Sequence, residues 1–93
     1  MPQYKIMVTV RETRAQKGFE KCKVYKPGEK FLLDDFKKIN LCRWAYNSMM
    51  PFLTVLEFGG NLPWEEKGKA LVSCPDPRSV VVFELERVSE DQE

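Results

Sequence analysis

The chain predicts an α+β domain. It has a small, largely antiparallel sheet of about five strands, curled toward a barrel, and one kinked helix, in the order β-ββ-α-ββ. Three observations carry this reading. Apolar residues alternate with polar ones near both ends of the chain. One central stretch carries apolar residues at helical spacing. Proline-glycine and double-proline punctuation separates the segments.

The first strand runs from Tyr4 to Glu12. Tyr4, Ile6, Val8 and Val10 point one way; Lys5, Met7, Thr9 and Arg11 point the other. Thr13–Gly18 is polar and reads as a loop. Glu20–Tyr25 is a weaker strand, with Cys22 and Val24 on one face. The tight turn Lys26-Pro27-Gly28-Glu29 joins it to the short apolar strand Phe31-Leu32-Leu33, so 20–33 reads as a hairpin. Asp34 or Asp35 caps a brief turn through Lys38.

The helix covers 41–58. At 100° per residue, Leu41, Trp44, Ala45, Ser48, Phe52, Val55 and Leu56 share one stripe, which should face the sheet. Asn40 is the expected N-cap and Gly59 the residue of positive φ that stops the helix. Pro51 lies inside and should kink or divide it. Gly60–Trp64 is a loop and Lys69–Cys74 a strand. Pro75-Asp76-Pro77 is a break. Ser79–Val88 is a strand apolar on both faces at Val80–Phe83, hence central or covered. Its end alternates, Leu85 and Arg87 against Glu84 and Glu86. Ser89–Glu93 is an acidic tail expected to fray. The expected core includes Ile6, Val8, Phe31, Trp44, Phe52, Leu56, Val72, Val81 and Phe83.

Ninety-three residues make one domain, 1–93. With 43% hydrophobic and 31% charged residues the composition is that of a folded chain. Net charge is +1, so no global field selects nucleic acid or membrane. No apolar run approaches the length of a bilayer span, and Lys5 and Arg11 leave no room between them for a signal-peptide core. A cytoplasmic location is expected. The charge is uneven. Residues 1–50 carry eleven Lys and Arg against five Asp and Glu, and residues 51–93 carry four against nine. Such halves can attract each other within one chain, as paired strands, or between two chains.

Histidine is absent, which removes His-based triads, bases and metal ligands. Asp34-Asp35 and Glu65-Glu66 are adjacent pairs. Chain neighbours do not face each other across a substrate as acid and base, so both read as loop charges and a non-enzymatic role is favoured. The lysines of the hairpin, Lys17, Lys21, Lys23, Lys26 and Lys30, stand among Tyr25 and Phe31. They are explained by edge protection more economically than by nucleic acid.

Three constellations remain. Cys22, Cys42 and Cys74 are odd in number and lack CxxC spacing, which argues against a disulfide framework. Cys42 lies at the helix start beside Arg43, where the backbone dipole activates a thiol. With Cys22 or Cys74 it could form a redox pair or a soft-metal site; otherwise all three are small core hydrophobes. Gly59, Gly60, Asn61 and Trp64, with Trp44, suggest a small-ligand pocket, or a helix stop with a Trp plug over the core. The glycines end a helix, so the dipole there disfavours anions. Tyr46, Met50 and Leu53 form a second apolar strip that a sheet on one side cannot cover, and they predict a homodimer interface.

Four separated motifs resemble a small TIGR family of bacterial and archaeal proteins of this size. They are Leu41-Cys42-Arg43-Trp44-Ala45, Phe58-Gly59-Gly60-Asn61-Leu62-Pro63-Trp64-Glu65, Ser73-Cys74-Pro75-Asp76-Pro77 and Val81-Val82-Phe83-Glu84-Leu85-Glu86-Arg87. Cys22 with Lys26-Pro27-Gly28-Glu29-Lys30-Phe31 adds to the likeness. Arg43 departs from the family pattern, which has proline there and so a stiffer helix start. The resemblance implies a stand-alone domain and no particular activity. The functional expectation is a small binding or protein-interaction module that self-associates. The alternative is a thiol-dependent redox or soft-metal-handling protein using Cys42 with Cys74 or Cys22.

Overall fold

The computed structural model describes residues 4–33 and 42–88. The expectations for Asp34, Asp35, Asn40, Leu41 and the tail 89–93 lie outside them. The order is β1 (Ile6–Ala15), β2 (Lys30–Leu33), α1 (Arg43–Glu57), β3 (Lys69–Ser73) and β4 (Ser79–Arg87). The strands form one antiparallel sheet in the order β2-β1-β4-β3. The class is α+β as expected, but among the described residues the sheet has four strands and does not close into a barrel.

The missing strand is 20–25. Cys22 Sγ accepts the Val24 N–H at 3.4 Å, which folds the segment locally, and Val24 is 61% exposed. The flank of β1 beyond β2 is already taken. The Val10 N–H donates to Glu29 O and the Gly28 N–H to Val10 O, both at 2.8 Å. Tyr25 instead turns inward and sets its ring edge-on against Phe31 and Phe83.

β1 runs three residues past its expected end because β4 offers a long partner. Thr13, Arg14 and Ala15 pair with Val81, Val80 and Ser79 after a register shift at Arg11. β4 is central, and Val81, Val82, Phe83 and Leu85 are buried. The core lies between one sheet face (Ile6, Val8, Val10, Leu33, Ala70, Val72, Val81, Phe83, Leu85) and the helix residues Ala45, Met49, Leu53 and Leu56.

The helix is therefore rotated from its expected phase. Trp44 is 59% exposed, and Phe31 and Phe52 are half-buried. Met49 and Leu53 fill the places given to the aromatics, since unbranched and γ-branched side chains reach into the sheet from the middle of α1. Pro51 does not break the helix, which runs continuously through it. The proline deprives the Asn47 carbonyl of its donor. Both residues lie on the exposed side, where water replaces the lost bond.

Candidate functional site

The Gly59–Asn61 loop is built as a helix stop. The Gly60 N–H donates to Val55 O at 2.8 Å and the Gly59 N–H to Leu56 O at 3.1 Å, the paired bonds of a Schellman motif. Gly59 has φ 89°. A Cβ on Gly60 would lie 3.0 Å from Val55 Cγ1 and 3.1 Å from Val55 O, so the loop disfavours a side chain at either position.

Arg87, at the end of β4, reaches into this loop. Its Nη1 donates to Leu56 O at 3.1 Å and Gly60 O at 2.6 Å, and its Nη2 donates to Asn61 Oδ1 at 2.9 Å. Tyr4 covers the guanidinium, 5.4 Å from ring centroid to Cζ. The Gly68 N–H donates to the same Asn61 Oδ1, and the Arg87 N–H to Gly68 O. The negative end of the helix thus receives an internal cation.

The expected ligand pocket is not assembled. Arg87 occupies the polar side of the loop. Trp64 is 69% exposed, and Leu62 makes the plug over the core. Trp44 stands at the opposite end of a fifteen-residue helix, about 20 Å away along its axis.

The thiols are half-buried and unbonded to one another. Cys42 is the N-cap residue, with no side-chain capping bond. Its N–H donates to the Tyr25 hydroxyl at 2.8 Å. Burial pushes the Tyr25 hydroxyl above its ordinary value. The Cys42 N–H pulls the other way, and the charges of Cys42, Cys22 and Glu29 add to the rise. Cys74 clips the β3–β4 turn: its sulfur accepts the Val81 N–H at 3.4 Å and contacts Ser79 O at 3.8 Å. Among the described residues no group of three Cys, Asp or Glu side chains converges to hold a metal.

On the outer helix surface Tyr46 and Met50, one turn apart, are 42% and 41% exposed. Leu53 is only 2% exposed and belongs to the core, so the expected interface strip shrinks to Tyr46 and Met50. The sheet face away from the helix has a shallow groove of about 270 Å³ beside Glu65, Lys69, Leu71 and Glu84. Its charges are largely paired: Arg11 bridges to Glu84 at 2.5 Å, and Lys69 to Glu66 at 3.4 Å and to Glu84 at 3.7 Å. The basic first half and acidic second half of the chain meet here across β1 and β4.

No helix among the described residues is long and apolar enough to cross a membrane. Comparison with protein-family models, curated proteins and solved structures finds no match for the chain.

Proposed function

We propose that the protein is a non-enzymatic binding module of the cytoplasm that self-associates through the Tyr46–Met50 flank of α1. The observation that carries this reading is the solvent exposure of large apolar side chains. Both tryptophans are more than half exposed, and Tyr46 and Met50 lie side by side on α1, flanking the sheet-facing residues Ala45, Met49, Leu53 and Leu56, which are buried. Aromatic and methionine side chains left in water are the usual anchors of an interface. The polar features that suggested chemistry have structural partners instead: Arg87 with the helix end, and Cys74 with its hairpin.

The alternative, thiol reading rests on the place of Cys42, a free cysteine at the N-cap of α1. Light scattering over a wide range of protein concentration separates the two. A variant with Cys22→Ala, Cys42→Ser and Cys74→Ala should show the same rise from monomer to dimer mass as the parent. Loss of association in that variant alone, with the fold intact, would favour the thiols.

A further inference from the structure

We propose that the outer edge of β2 receives an extended acidic segment of a partner protein, which joins the sheet as a fifth strand. This deepens the binding-module reading and rests on it.

The two edges of the sheet are treated differently. In β3 the Cys74 N–H donates to Val81 O at 3.0 Å, so Ala70 and Val72 also bond to β4 while Lys69, Leu71 and Ser73 turn their backbone groups outward. Three of those outward groups are occupied. The Lys69 N–H donates to Glu66 O at 3.0 Å and the Leu71 N–H to Glu65 Oε2 at 3.1 Å. Ser73 O accepts the Ser48 hydroxyl at 2.7 Å. Side chains that take up edge groups in this way block the addition of another strand.

Among the described residues β2 has no such cover. The bonds between Val10 and Gly28–Glu29 set the alternation of its ladder with β1. Phe31 and Leu33 therefore bond to β1, and Lys30 and Leu32 present two N–H and two C=O groups to the outside. Among the described residues none of these four groups has a partner. An added strand would gain main-chain hydrogen bonds there. Its side chains would meet Leu32, 46% exposed, on one face and half-buried Phe31 on the other.

Charge selects the occupant. Lys26, in the turn that leads into β2, and Lys30, its first residue, are exposed and have no ion pair among the described residues. Glu29, the chain neighbour of Lys30, is held in the turn by the Lys26 N–H. A second copy would bring the same lysines to the same edge, and like charges oppose that pairing. An acidic strand with apolar residues at its centre satisfies both the lysines and Leu32.

The test uses the full, nitrogen-15-labelled chain and two acetylated peptides, Glu-Val-Thr-Val-Glu and Lys-Val-Thr-Val-Lys. The acidic peptide should shift the Lys30 and Leu32 amide signals and slow their exchange about tenfold at saturation, while the basic peptide does neither. Leu32→Pro removes an outward N–H and no bond to β1, so it should abolish binding while the Val8 and Val10 amides stay protected. Lys26→Glu with Lys30→Glu should weaken the acidic peptide about fivefold, the scale of two exposed charge pairs. Equal binding of both peptides, or undiminished binding to the proline variant, would overturn the proposal. Protection of Lys30 and Leu32 that grows with protein concentration alone would assign the edge to a second copy and also overturn it. Association through Met50 with no peptide response would remove this inference and leave the binding-module reading standing.

Discussion

The guanidinium of Arg87 donates to the side-chain oxygen of Asn61, and through that bond the last strand holds the end of the only helix among the described residues. Asn61 Oδ1 also accepts the Gly68 N–H, so one acceptor joins the loop after α1, the approach to β3 and the end of β4. The remaining Arg87 bonds go to Leu56 O in the last turn of α1, which also accepts the Gly59 N–H, and to Gly60 O in the loop after it. What looked like a ligand loop is a joint of the scaffold.

Arg87→Met should therefore destabilise the protein by about 2–3 kcal/mol, since it removes three charge-assisted hydrogen bonds and leaves Gly60 O without its donor. Arg87→Lys should recover only part of the loss, because a single ammonium cannot span Leu56, Gly60 and Asn61 together. Urea denaturation measures both. Two variants as stable as the parent would show that the joint contributes nothing.

Gly59→Val should cost at least about 1 kcal/mol, because a branched Cβ is strained at positive φ. The added carbon would also meet Tyr4, whose Cε2 lies 3.5 Å from the Cβ position. Thermal melts of the variant and parent give the comparison, and equal midpoints would contradict the helix stop.

The phase of α1 makes an ordered prediction. Leu53→Ala should cost about 2–5 kcal/mol as a fully buried large-to-small change. Phe52→Ala, at a half-buried position, should cost less than Leu53→Ala. Trp44→Ala should cost little, within about 0.5 kcal/mol, as a surface change. The reverse order in denaturant titrations would restore the phase expected from the aromatics.

Tyr25 gives a pH dependence with a fixed sign. Its hydroxyl is held above the ordinary value of 10.0, first by burial. Above that ordinary value the unfolded chain loses the proton while the folded chain keeps it. Stability from this group is then full below about pH 10 and falls as pH rises through the folded value. Tyr25→Phe should lower stability at neutral pH by about 1 kcal/mol, because the Cys42 N–H loses its acceptor. It should also flatten the alkaline decline. Parallel declines in the two proteins would mean that Tyr25 does not titrate in the folded state as described.

Much of the fold was legible because alternation reports which face of a strand is buried. Ile6, Val8 and Val10 alternate and are buried, and the valine run of β4 marks a central strand. The alternation in 20–25 consists of Cys22 and Val24 alone, among lysines, and alternation does not report whether β1 has room for a partner. The helix phase followed Trp44 and Phe52 because large side chains dominate a stripe. The position of Trp44 in the first turn, beside the edge of the core, is a tertiary fact. Arg87 was readable in part: it shares its strand face with Leu85, and an arginine on a core-facing phase needs buried acceptors. Those acceptors come from a helix end whose Leu56 lies 31 residues earlier, and spacing alone does not bring them together. Cysteine positions were legible, but their separation depends on packing.

Sedimentation of the parent beside Met50→Lys tests the central claim most directly. The parent should move from monomer to dimer as its concentration rises. The lysine variant should stay monomeric with its fold unchanged, because an ammonium buried without a partner is strongly disfavoured. A parent that remains monomeric throughout, or a variant that dimerises as readily, would contradict association through the Tyr46–Met50 flank.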